Sequence, residues 1–125
     1  MIVFGTPARV LFDIGSSRSF ISTIFALHAN RELVPLKNKL NANTPLGEQI
    51  LRTLVFNGCK IVVGGIVLKA NLIPLEMSDF DVILGMDWLS NHRAFMDVSL
   101  RRLCLRSRDT QNWNLKVIEE FYPRV

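Results

Sequence analysis

The sequence is poor in the residues that nucleophilic and metal-assisted enzymes rely on. Among 125 residues there are two histidines and two cysteines. Cys59 and Cys104 form no CxxC pair, and neither has a histidine at zinc-ligand spacing, so a zinc module and a disulfide framework are both excluded. Flanked by apolar residues, both read as reduced core cysteines, which fits a reducing, intracellular setting. His28 and His92 have no sequence neighbours that would complete a Ser/His/Asp or Cys/His set. His28 reads as a helix-surface residue and His92 as the residue after a short helix. No apolar run approaches the roughly 18 residues of a membrane span, so no membrane partner is expected. The N-terminus lacks the basic region, apolar core and cleavage site of a secretory signal. Gly64-Gly65 is not followed by a Lys-Ser pair and is no phosphate loop. Neither a metal nor a cofactor is expected.

What is present is hydrophobic residue in quantity, 49% of the chain, enough for a sizeable core in a single domain. That domain is expected over residues 1–106, with 107–125 as a C-terminal tail or linker. Met1-Ile2-Val3-Phe4 reads as the middle of a strand, which suggests a piece of a longer polypeptide. The net charge of +4 gathers late, at Arg93, Arg101, Arg102, Arg106 and Arg108. Without interleaved aromatic residues this reads as a solvated hairpin and tail, and nucleic acid is not an expected partner.

Short apolar runs punctuated by Gly and Pro predict a mostly β domain. Residues 2–4 and 8–12 read as strands joined at Gly5-Thr6-Pro7. In the second strand Ala8, Val10 and Phe12 share one face, and Arg9, Leu11 and Asp13 the other. A polar bend, Gly15-Ser16-Ser17-Arg18-Ser19, leads to Phe20-Ile21. Ser22 is placed to cap a helix over residues 23–29. Residues 36–50 suit a long hairpin with a mobile tip. Strands are expected at 51–57, 59–63 and 66–73, the last two joined at Gly64-Gly65. Pro74–Asp79 reads as a loop, and Phe80–Leu84 as a strand buried on both faces. Asp87 is placed to cap a short helix over 88–91. Residues 94–98 and 102–105 form a closing hairpin.

Three blocks carry a resemblance. The first is Val10-Leu11-Phe12-Asp13-x-Gly15-x-Ser17-x-Ser19-Phe20-Ile21-Ser22. The second is Asn43-Thr44-Pro45-Leu46-Gly47-Glu48. The third, the most specific, runs from Leu72-Ile73-Pro74-Leu75 through Met77-Ser78-Asp79-Phe80-Asp81-Val82-Ile83-Leu84-Gly85-Met86-Asp87-Trp88-Leu89. With these blocks the chain resembles the retropepsin-like aspartic protease domain of gypsy-type LTR retrotransposon polyproteins. The resemblance implies a retropepsin-like closed β-barrel with one or two short helices. It implies a homodimer in which each chain supplies one catalytic aspartate, here Asp13, acting on a peptide or polyprotein substrate. It places substrate contacts at Gly15 and at a flap formed by Thr44, Pro45, Leu46 and Gly47. Ile83-Leu84-Gly85 matches the segment packed behind the aspartate loop. It also implies a cytoplasmic location, including the interior of virus-like particles.

The implied chemistry uses two close carboxylates sharing one proton, the pair described generally for aspartic proteases. One departure stands out. The family has Thr or Ser after the aspartate, whose hydroxyl bonds across the dimer, and this chain has Ile14, which has neither donor nor acceptor. Two functions therefore stand side by side. One is a homodimeric aspartic endopeptidase that processes its own polyprotein. The other is a catalytically degenerate domain kept for dimerisation or peptide binding.

Overall fold

The computed structural model describes residues 1–43, 49–97, 99, 101–108 and 113–120, with 37–43, 49–53, 107, 108 and 113–120 described as backbone alone. The chain is mostly β, as expected. Its main sheet has eight strands: β1 (Ile2–Val3), β2 (Thr6–Pro7), β3 (Val10–Phe12), β4 (Phe20–Ser22), β5 (Leu33–Asn43), β6 (Gln49–Val63), β7 (Ile66–Leu75) and β8 (Val82–Leu84). They run in the order β2-β1-β6-β7-β4-β8-β3, with β5 on β6. A second sheet holds β9 (Ala94–Asp97), β10 (Arg102–Arg108) and β11 (Trp113–Glu120). A short helix, α1 (Met86–Asn91), follows β8. The main sheet curls as a half-barrel whose ends are β2 and β3. Among the described residues no pairing joins these ends, so closure into a barrel is not seen.

The hairpin β6–β7 forms the centre. Gly64 and Gly65 both have positive φ, 53° and 79°, which suits the tight turn whose twist matches the flanking strands. Alternation sends Cys59, Ile61 and Val63 into the core at 0% exposure while Lys60 faces out. Sequence reading broke this strand at Gly58. The structure keeps it whole and absorbs the extra residue as a bulge, with Asn57 and Gly58 opposite Asn71. Gly58 has φ 64° and donates its N–H to Asn71 Oδ1 at 2.9 Å, so the glycine bends the strand rather than ending it. At the N-terminus the turn is likewise tighter than expected. Phe4 and Gly5 both take positive φ, and Thr6–Pro7 pairs straight back on Ile2–Val3.

One expected loop and one expected helix differ. Pro74 lies within β7, beside Ile21 of β4. The strand continues through it because Thr23 N–H bonds to Leu75 O and Ile73 N–H to Ser19 O, neither of which needs a proline N–H. The helix expected over 23–29 is only a 3-10 turn at Phe25–His28. Ser22 Oγ does accept the Phe25 N–H, at 3.4 Å. Ile24 and Leu27 point outward, 75% and 85% exposed, so no apolar stripe exists to seat an α-helix. Both arms of the hairpin expected over 36–50 are present as β5 and β6. Trp113–Glu120, within the expected tail, pairs with β10.

The site is positioned by a crossing of strands. β8 lies between β3, to which it is parallel, and β4, to which it is antiparallel. β3 and β4 are consecutive in sequence, so the loop of residues 13–19 that joins them must pass over the C-terminal end of β8. Val82 and Leu84 are fully buried there. Val10 and Phe12 pack on the main core, as the alternation in β3 predicts, and Phe12 lies 6.3 Å from the Trp88 ring. Cys59 and Cys104 are both buried and free. Burial pushes the Cys59 thiol up to about 11.

Candidate active site

Asp13 extends β3 by one residue. Its N–H donates to Leu84 O at 2.9 Å, the next rung after the Phe12–Leu84 pair. The chain then turns: Ser16 N–H donates to Asp13 O at 3.2 Å, and Gly15 N–H donates to Asp13 Oδ1 at 2.9 Å. An aspartate that accepts from the backbone two residues on is a common turn device. Here it aims a half-exposed carboxylate from the end of a strand whose backbone is fixed. A Cβ on Gly15 would come within 3.2 Å of Asp13 Oδ1, so the glycine lets backbone and carboxylate approach closely. Ile14 stands out of the loop, 68% exposed.

Beneath the loop the packing is close. Met86 N–H donates to Ser16 O at 2.7 Å, and Ser16 Oγ donates to Arg18 O at 2.7 Å. Gly85 sits directly under these carbonyls. A Cβ there would lie 2.6 Å from Ser16 O and closer still to Arg18 O, distances no side chain tolerates. Glycine at 85 is therefore set by space, since its φ of −97° is open to any residue. Gly85 N–H donates to Ser19 Oγ at 3.0 Å, and Ser19 Oγ donates to Asp87 Oδ1 at 2.6 Å.

Asp87 was expected to cap α1. The structure makes Gly85 the capping residue, and Asp87 lies in the first turn, its Oδ1 accepting the Trp88 N–H at 2.7 Å. A carboxylate there still favours the helix start. The other aspartates of the third block are engaged away from Asp13. Asp81 accepts the Arg9 N–H at 2.7 Å and pairs with the Arg9 guanidinium at 3.3 Å, while Asp79 is exposed in the loop before β8. Leu11 and Ile83 pair in register across β3 and β8. Both are half-exposed, and Leu11 is on the face of β3 to which alternation assigns Asp13.

The histidines take no part. His28 is exposed beside the Phe25 ring, 5.2 Å between centroids. His92 Nε2 lies 2.6 Å from Lys69 O. Thr44, Pro45, Leu46 and Gly47 lie outside the described residues. Among the described residues no three His, Cys, Asp or Glu side chains gather as a metal site, and no helix is long and apolar enough to cross a membrane. Sequence reading missed the roles of Ser19 and Asp87. Their bond spans 68 residues, and the one local signal was a lone serine where the polar bend enters an apolar strand.

Comparison with known proteins bears on the family and the fold. The family profile described as Retroviral aspartyl protease matches residues 1–111. Among solved structures, the crystal structure of the retroviral protease-like domain of Ddi1 from Leishmania major is similar, with a TM-score of 0.62 at 15% identity. The match covers 95% of this chain and 87% of that one, which supports a retropepsin-like fold. No curated protein matches the chain.

Proposed function

The chain belongs to the retroviral aspartyl protease family, and from that membership we propose that it is an aspartic endopeptidase, active as a homodimer, that processes the polyprotein of a gypsy-type LTR retrotransposon in the cytoplasm or within virus-like particles. The observation that carries this reading is Asp13 itself. It is a half-exposed carboxylate at the end of a parallel strand pair, held by Gly15 N–H at 2.9 Å, on the strand face that carries Leu11. One chain offers one such carboxylate, and the chemistry needs two, so a second copy supplies the other. The ionised carboxylate takes a proton from water, and its protonated partner polarises the scissile carbonyl. Thr44, Pro45, Leu46 and Gly47 close over the bound peptide, and Gly15 contacts it.

A second reading is favoured by Ile14, whose exposed side chain has no hydroxyl to bond across a dimer. In that reading the domain is degenerate and serves dimerisation or peptide binding. Pepstatin-sensitive cleavage of a peptide library by the purified protein, absent in Asp13→Asn, establishes the first. A protein that binds peptide and sediments as a dimer without cleaving establishes the second. Monomer alone at high micromolar concentration with inhibitor present overturns the homodimer.

A further inference from the structure

The loop that carries Asp13 is gripped from beneath by a hydroxyl that the reaction itself does not use. Ser19 is 0% exposed, and its Oγ both accepts and donates, from Gly85 N–H at 3.0 Å and to Asp87 Oδ1 at 2.6 Å. The second bond is short, at the tight end of the range for a hydroxyl donor. Asp87 is in turn fixed by the Trp88 N–H on the same oxygen, and Trp88 is buried in the core. The chain of contacts therefore runs from core helix to carboxylate to hydroxyl to loop. At its other end the loop begins at Asp13, whose N–H is bonded to Leu84 O. Leu84 and Gly85 are consecutive, so both ends of the loop are tied to one short stretch of backbone, with Met86 N–H holding Ser16 O between them.

We infer that Ser19 and Asp87 are positioning residues that clamp the Asp13 loop onto the β8–α1 turn and so fix where the Asp13 carboxylate stands. The inference rests on the reading of Asp13 as the catalytic carboxylate. The clamp itself is independent of that reading. Loss of the hydroxyl strips a partner from a buried N–H and from a carboxylate, and that leaves them unsatisfied. The loop then samples other positions while the β6–β7 centre stays folded. Asparagine at 87 keeps an oxygen to accept both bonds, whereas alanine keeps none.

The test is amide hydrogen exchange on the full chain, with peptide cleavage measured beside it. In Ser19→Ala the Gly85 and Met86 amides are expected to exchange about ten- to a hundredfold faster, with the β6–β7 amides unchanged. Asp87→Ala is expected to do the same, and Asp87→Asn to stay near wild type. Should Ser19→Ala fail to fold, Asp87→Ala carries the same readout with the serine in place. In cleavage, kcat falls by up to about a hundredfold in the alanine variants while KM holds, and Asp87→Asn restores it. Unchanged exchange at Gly85 and Met86 in the alanine variants, or Asp87→Asn exchanging as fast as Asp87→Ala, overturns the clamp. A wild type that cleaves nothing overturns the proposed function and leaves the exchange result to decide the clamp.

Discussion

Two parts of this molecule share one local pattern. In each, a short apolar strand reaches a turn that holds a glycine and an aspartate: Val10–Phe12 leads to Asp13-Ile14-Gly15, and Val82–Leu84 leads to Gly85-Met86-Asp87. The strands pair in parallel, residue for residue. Their turns then do opposite things. In the first, glycine is exposed and donates to a carboxylate left half-open to solvent. In the second, glycine is buried under two carbonyls, and the carboxylate is turned inward onto Ser19. The order of Asp and Gly in sequence does not decide which aspartate is free for chemistry. What lies across the turn decides it: solvent over Asp13, and the 13–19 loop over Gly85.

The sharpest break in this comparison is the loss of charge from the half-open carboxylate. Asp13→Asn keeps an oxygen for the Gly15 N–H, so melting is expected within a degree or two of wild type, while cleavage falls by on the order of a thousandfold or more. Residual cleavage in that variant, measured free of contaminating protease, removes Asp13 from the catalytic role. Next in size is Gly85→Ala. A Cβ there meets backbone oxygens that cannot swing aside, and a loss of about 3 kcal/mol is expected, read as a fall in Tm of on the order of 10 °C. A Tm near wild type would mean that the loop and the turn are not in close contact.

Ile14→Thr returns a hydroxyl to the exposed tip. Two symmetry-related hydrogen bonds at about 0.5–1.5 kcal/mol each are expected to tighten the dimer, measured by sedimentation, and cleavage is expected to rise with it. Equal cleavage, or a weaker dimer, shows that the hydroxyl is not what this chain lacks. A small effect on stability is expected of Gly15→Ala. Its Cβ meets only a carboxylate oxygen at 3.2 Å, which a small rotation relieves, so a stability change under about 1 kcal/mol is expected. Cleavage in that variant is expected to fall by more than stability does. A loss matching that of Gly85→Ala would erase the difference between the two turns.

The parts legible in the sequence were those with local signals. Gly64-Gly65 between β-branched runs marked the central hairpin, and alternation assigned the faces of Val10–Phe12. The motif around Asp13 and the run ending at Gly85 marked both turns. The rest depended on partners far along the chain. Gly58 looks like a break until Asn71 lies opposite it. Ser22 supplies the expected bond, yet Ile24 and Leu27 find nothing to pack against, so the turn never becomes a helix. Asp87 had a sound local reading as a cap, and a buried hydroxyl 68 residues away gave it a different partner.

The passage of β8 between β3 and β4 also fixes an order of events. Arg9 and Asp81, which open the β3–β8 pairing, lie 72 residues apart, and contacts so distant in sequence form slowly because a large loop must close first. The β6–β7 hairpin needs no such closure. Until residues 82–87 arrive, Asp13 has no Leu84 carbonyl to bond and its loop has no Gly85 to rest on. A chain that lacks residues 82–87 therefore has no seat for the aspartate. The carboxylate is placed only when nearly the whole domain has been made and folded, which keeps any proteolytic capacity latent until then.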